Sequence, residues 1–137
     1  MELLIGAGSK ENWVKKIIPE GSGEDWEHLV TLDINPDLGV DLVHDLNNIP
    51  YPLASDSIDE IHAYEVLEHF GEQGDWRGFF EQFGELWRIL RPGGLLIGTC
   101  PSWTSMWAWG DPGHRRVITP GTFLFLDQSQ YAQLGKT

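Results

Sequence analysis

The sequence predicts an α/β fold built on a mostly parallel sheet, and three observations predict it. Short apolar runs alternate along the chain with segments whose apolar residues recur every three or four positions, the signature of strands alternating with helices. A glycine-rich turn, Gly6-Ala7-Gly8-Ser9, leaves the first apolar run directly. Pro92-Gly93-Gly94 separates the longest helical pattern from the apolar run that follows it.

Each element follows in order. Residues 3–5, Leu-Leu-Ile, form the first strand. Residues 11–18 carry Trp13, Val14, Ile17 and Ile18 at helical spacing and predict a helix, which Pro19 and a Gly-rich loop over 19–24 end. Residues 28–32 read as the second strand, closed by Asp33, and residues 40–43 as a short third strand ending near His44-Asp45. A polar loop with Pro50 and Pro52 precedes a fourth strand over 58–63. Residues 74–90 hold the longest helical pattern, with Phe79, Phe80, Phe83, Leu86, Trp87 and Leu90 as its apolar stripe. Residues 95–99 form the fifth strand. Beyond it, 101–113 is loop-like and carries Trp103, Trp107 and Trp109, and 120–134 holds a weaker helical pattern.

Composition bounds the function. A chain of 137 residues forms one domain, 1–137, with a real core. No apolar run approaches the roughly 20 residues that a membrane-spanning helix needs, so no membrane role is expected. The N-terminus lacks the basic and long apolar segments of a signal peptide. The single Cys100 excludes an internal disulfide and a multi-cysteine zinc site, and it suits the reducing cytoplasm. Nine Lys and Arg stand against 21 acids, for a formal charge of −12. That balance argues against nucleic acid as substrate unless a partner supplies the basic surface.

The chemistry concentrates at strand ends. Gly6 and Gly8 permit a tight turn and close approach of a ligand to bare backbone. Asp33 ends the second strand, where a carboxylate can accept both hydroxyls of a ribose. Asp45 ends the third beside Leu46, where it can accept from an adenine amino group. Each feature alone is common in turns and caps. Three at the carboxyl ends of successive strands point to one crevice that takes a nucleotide cofactor.

These segments resemble class I S-adenosylmethionine-dependent methyltransferases. Leu-Leu-Ile-Gly-Ala-Gly-Ser, Val-Thr-Leu-Asp33-Ile and Val-His-Asp45-Leu look like motif I and its successors. Asp59-Glu-Ile-His-Ala-Tyr-Glu-Val-Leu-Glu-His69 and Glu85-Leu-Trp-Arg-Ile-Leu-Arg-Pro-Gly-Gly94-Leu-Leu-Ile look like the fourth strand, long helix and fifth strand of the small-molecule-type branch. Asp111-Pro-Gly-His114 is similar to a segment of compact phage and bacterial members. The resemblance implies a Rossmann-like sheet of order 3-2-1-4-5 without the last two strands of the seven-stranded family sheet. Two accounts of such an open edge stay open: a truncated chain, or a homo-oligomer or partner chain that covers it.

It also implies a cofactor site. Gly6, Ala7 and Gly8 would face the methionine part and ribose of S-adenosylmethionine. Asp33 with Ile34 would hold the ribose, Asp45 with Leu46 the adenine, and Tyr64 and Glu65 would lie beneath the methionine portion. Leu4 stands where many relatives have an acidic residue, which leaves the grip on the cofactor's amino group open. His69 and His114 are the candidate general bases. Glu65, Glu68, His69 and His114 form a possible divalent-metal set, since Glu-x-x-Glu-His binds metal in some relatives; in others Glu-His shapes the turn.

Cys100 next to Pro101 is read as packed rather than as a cytosine-type nucleophile. The Trp residues after the fifth strand read either as an active-site lid or as cover for the core and sheet edge. His114-Arg115-Arg116 reads either as a contact for an anionic group or as a solvated turn. The expected activity is methyl transfer to oxygen or nitrogen of a small molecule. The alternative is a catalytically silent cofactor-binding subunit that serves a partner chain. A nicotinamide oxidoreductase is disfavoured, for the third glycine and a Tyr-x-x-x-Lys pair are both missing.

Overall fold

The computed structural model describes residues 1–134. Five strands form one sheet in the order β3-β2-β1-β4-β5: β1 (Glu2–Ile5), β2 (Leu29–Asp33), β3 (Leu42–Val43), β4 (Ile58–Tyr64) and β5 (Leu90–Thr99). Every neighbouring pair is parallel. The order reverses between β1 and β4, which makes a switch point at their carboxyl ends. No sixth strand occurs among the described residues.

One face of the sheet carries the main core. Leu3 and Ile5 of β1, Leu32 of β2, and Ile58, Ile61 and Ala63 of β4 pack with Phe83, Leu86 and Ile89 of helix α1 (Trp76–Ile89). Asp75 starts that helix by accepting from the Gly78 amide at 3.0 Å. The predicted stripe is too wide. Trp87 is 79% exposed and Phe80 lies at the surface, because only the turn-to-turn row of Gln82, Phe83, Leu86 and Ile89 faces the sheet. Strand β5 begins directly after α1: Leu90 pairs with Ile58, the chain bulges through Pro92-Gly93-Gly94, and pairing resumes at Leu95 opposite Glu60.

The predicted helix over 11–18 does not form. A single 3-10 turn, Lys10–Asn12, is followed by an irregular segment laid across the opposite sheet face. Its side chains explain why. The Lys15 side chain is buried, with its ammonium 2.5 Å from Glu2 and 3.6 Å from Glu60. The Trp13 indole donates to the Gly8 carbonyl at 3.1 Å, and the Trp26 indole to the Trp13 carbonyl at 2.9 Å.

The Tyr64 hydroxyl accepts from the amides of Lys16 (3.1 Å) and Ile17 (3.3 Å). Its own proton is thereby directed to Nδ1 of His62 at 2.6 Å, and His62 donates in turn through Nε2 to Glu60 at 2.9 Å. Eight residues make a weak helix in isolation, and this polar network outcompetes it. Tyr64→Phe leaves two amides and an imidazole nitrogen without their partner. The expected loss is about 1–2 kcal/mol of stability in a denaturant titration, with the sheet retained.

The tail is helical but broken. Helix α2 spans Met106–Gly110, α3 spans Pro120–Phe123, a 3-10 turn covers Leu124–Leu126, and α4 spans Gln128–Leu134. Asp127 breaks the continuous helix that 120–134 suggested. Its backbone is extended, and its carboxylate accepts from the Ser129 amide at 2.9 Å to start α4. No helix among the described residues is long and apolar enough to cross a membrane.

Candidate active site

A cleft of about 360 Å³ opens at the carboxyl ends of β1, β2, β3 and β4. Gly6, Asp33, Ile34, Asp45, Leu46 and Glu65 line it, so six of the nine residues expected at the cofactor lie together. The chain leaves β1 through Gly6 at φ +59°, and a Cβ there would lie 2.5 Å from Cγ2 of Val66. Gly6→Ala is therefore expected to cost about 2 kcal/mol, read by thermal denaturation. A second change, Val66→Ala, should recover about half, because it removes the clash and leaves the backbone strain.

Asp33 anchors the turn. One carboxylate oxygen accepts from the Gly8 amide at 3.0 Å and the other from the Asn35 amide at 3.0 Å. Each oxygen keeps a second lone pair for an incoming hydroxyl. Asp45 spends one oxygen on Asn47, accepting from its amide and side chain at 2.9 Å each. Leu46 is buried, and its carbonyl accepts from the Tyr51 hydroxyl at 3.0 Å.

Bare backbone at Gly6, a carboxylate at the end of β2 and an apolar floor at Leu46 fit a nucleoside cofactor. The other three expected residues do not line the cleft: Gly8 reaches it only through its amide's hydrogen bond to Asp33, and two stand elsewhere. Ala7 is buried with Leu4, and Tyr64 is buried in the same cluster on the opposite sheet face. The alternation of β4 explains Tyr64: Ala63 faces the main core, so its neighbour must face away.

A second cavity of about 430 Å³ adjoins the first and shares Glu65 and His69 with it. Its other walls are Glu68, Pro101, Ser105, Trp107, Asp111 and His114. Glu65 adopts φ +55°, a strained backbone for a residue with a side chain, and its amide is held by the Thr99 carbonyl at 2.9 Å. The strained residue sits where both cavities meet.

The imidazole of His69 is oriented by its backbone partner. Nδ1 lies 3.0 Å from the Gly113 carbonyl, which can only accept, so Nδ1 carries the proton and Nε2 keeps a free lone pair. The His114 ring stands edge-on to it at 4.7 Å, with Nε2 3.9 Å from Glu68 and 3.7 Å from Asp111. Both Glu68 oxygens and Nδ1 of His114 are buried without a hydrogen-bond partner among the described residues. Burial raises the Glu68 carboxyl above its usual range, and the Glu65 charge adds to this. Three orphaned polar atoms at one spot fit a site built for a bound group.

Glu68, His69 and His114 bring ligand atoms within 4.8 Å of one another, and this donor set fits a divalent cation. Glu65, the fourth expected ligand, lies outside that cluster.

Other expectations resolve plainly. Burial pushes the Cys100 thiol up to about 12, with the Glu68 charge adding, so it stays protonated and is a poor nucleophile. Arg116 meets neither an anion nor solvent: its guanidinium is buried against Phe70, bonding the Leu67 carbonyl at 2.9 Å and Gln82 at 3.2 Å. Trp103, Trp107 and Trp109 are exposed and cover no core, and Trp107 alone of them lines the second cavity. Leu32, His44, Asn47, Val66 and Phe70 also line the first cleft, outside the residues that the sequence predicts there. His44 had a signal, its place beside Asp45; Val66 had none.

No family model and no curated protein sequence matches the chain. Among solved structures, it is similar to the crystal structure of a SAM-dependent methyltransferase from Archaeoglobus fulgidus, with a TM-score of 0.65 and 20% identity. The match covers 98% of this chain and 59% of that one, so the chain spans about three-fifths of the solved protein's length. The chain therefore shares the fold of that solved structure, an α/β parallel sheet of strand order 3-2-1-4-5.

Proposed function

We propose that the protein transfers the methyl group of S-adenosylmethionine to nitrogen or oxygen of a small molecule. The observation that carries this reading is the meeting of two cavities at Glu65 and His69. Asp33, Ile34, Asp45 and Leu46 would hold the nucleoside in the first cavity. When bound, S-adenosylmethionine supplies a methyl group that is already electrophilic, so the protein's task is alignment. The second cavity holds the acceptor. His69 accepts the acceptor's proton at Nε2, while the Gly113 carbonyl fixes the ring.

A second reading concerns hydroxyl acceptors. Glu68, His69 and His114 would hold a divalent cation, which lends Lewis acidity to a hydroxyl. The convergence of their ligand atoms favours it.

The test is release of S-adenosylhomocysteine from S-adenosylmethionine during a screen of pooled amines, phenols and alcohols, run in EDTA and again with magnesium or manganese. Acceptor-dependent release is expected. Cofactor binding with no release from any pool would favour the silent-subunit alternative instead.

A further inference from the structure

The second cavity carries information about its occupant. This inference rests on reading that cavity as the acceptor site. Its described lining holds three carboxylates, Glu65, Glu68 and Asp111, and two imidazoles, with no Lys or Arg. Glu68 is 2% exposed and lines the cavity, and neither of its oxygens has a full hydrogen bond, although the Cys100 thiol and, at 3.9 Å, Nε2 of His114 face it. Two buried acceptor oxygens call for donors. Trp107 and Pro101 add an apolar and aromatic wall.

We infer that the acceptor is an amine that enters as its ammonium form, held by the Glu68 carboxylate beside Trp107. An ammonium offers up to three N–H donors and a cation to the ring face.

The charge movement of the reaction separates amines from hydroxyls. An ammonium R–NH₃⁺ gives one proton to Nε2 of His69. Its nitrogen lone pair then forms the new bond to the methyl carbon, and the carbon–sulfur bond breaks with its electron pair staying on sulfur. The product is R–NH₂–CH₃⁺ with a neutral thioether. Positive charge thus moves from sulfur onto nitrogen, into the carboxylate-lined cavity, which stabilises it as it develops. A hydroxyl must instead develop negative charge beside three carboxylates, and these oppose it.

The test measures binding directly, in EDTA. The unmodified protein is titrated by calorimetry with n-butylamine and with n-butanol, each with and without S-adenosylhomocysteine, and with manganese alone. Butylamine is expected to bind at least roughly tenfold more tightly than butanol, the worth of one charge-assisted hydrogen bond. Glu68→Gln should reduce that preference by about the same factor and leave S-adenosylhomocysteine affinity unchanged.

Trp107 is exposed and safe to alter, so Trp107→Leu keeps the test open should Glu68→Gln not fold. It is expected to weaken butylamine binding about threefold and butanol binding less. Equal binding of amine and alcohol overturns the inference. So does tight manganese binding that recruits butanol in preference to butylamine. Failure of the parent reading is separable, because it would appear as no binding of S-adenosylhomocysteine.

Discussion

His69→Ala is expected to lower kcat about a hundredfold or more in single-turnover assays, while S-adenosylhomocysteine affinity changes little. The reason is geometric. Among the candidate bases, His69 alone lines both cavities, with its ring oriented by the Gly113 carbonyl. General-base assistance is typically worth 10²–10⁴-fold, so its loss should dominate kcat rather than binding. His114 cannot substitute. Its Nε2 already faces Glu68 at 3.9 Å and Asp111 at 3.7 Å, and its Nδ1 is buried. If His69→Ala kept full activity while His114→Ala abolished it, the roles would be reversed.

Asp33→Ala is the second large effect. S-adenosylhomocysteine should bind about a hundredfold more weakly, since two hydrogen bonds from ribose hydroxyls to a charged acceptor are lost. The variant also frees the amides of Gly8 and Asn35, each held at 3.0 Å. A small drop in melting temperature should therefore accompany the loss of affinity. Asp33→Asn separates the two effects: its single side-chain oxygen keeps one acceptor, so its affinity should fall between wild type and Asp33→Ala. Calorimetry on all three proteins checks this order. Unchanged affinity in Asp33→Ala would remove the ribose from this end of β2.

Much of this site was legible because its residues obey local rules. Gly6, Asp33, Asp45 and Glu65 each lie at or within two residues of a strand's carboxyl end, and strand ends can be read from short apolar runs. Parallel pairing then gathers them without further information. What failed depends on side chains far apart in sequence. The 11–18 segment has a helical period, yet Lys15 is claimed by Glu2 and Glu60 and its backbone amides by Tyr64. Tyr64 has a different reason, the alternation of β4, since a motif window does not say which face a strand residue takes. Arg116 could be read as an anion contact or as part of a solvated turn, because its partners, the Leu67 carbonyl and Gln82, lie 49 and 34 residues away.

The most direct measurement is titration of the unmodified protein with S-adenosylhomocysteine by isothermal calorimetry. One-to-one binding in the micromolar range is expected, abolished or strongly weakened by Asp33→Ala and unaffected by Trp107→Leu. No heat of binding from a folded protein, with S-adenosylmethionine equally silent, would contradict the assignment of the β1–β4 cleft to this cofactor.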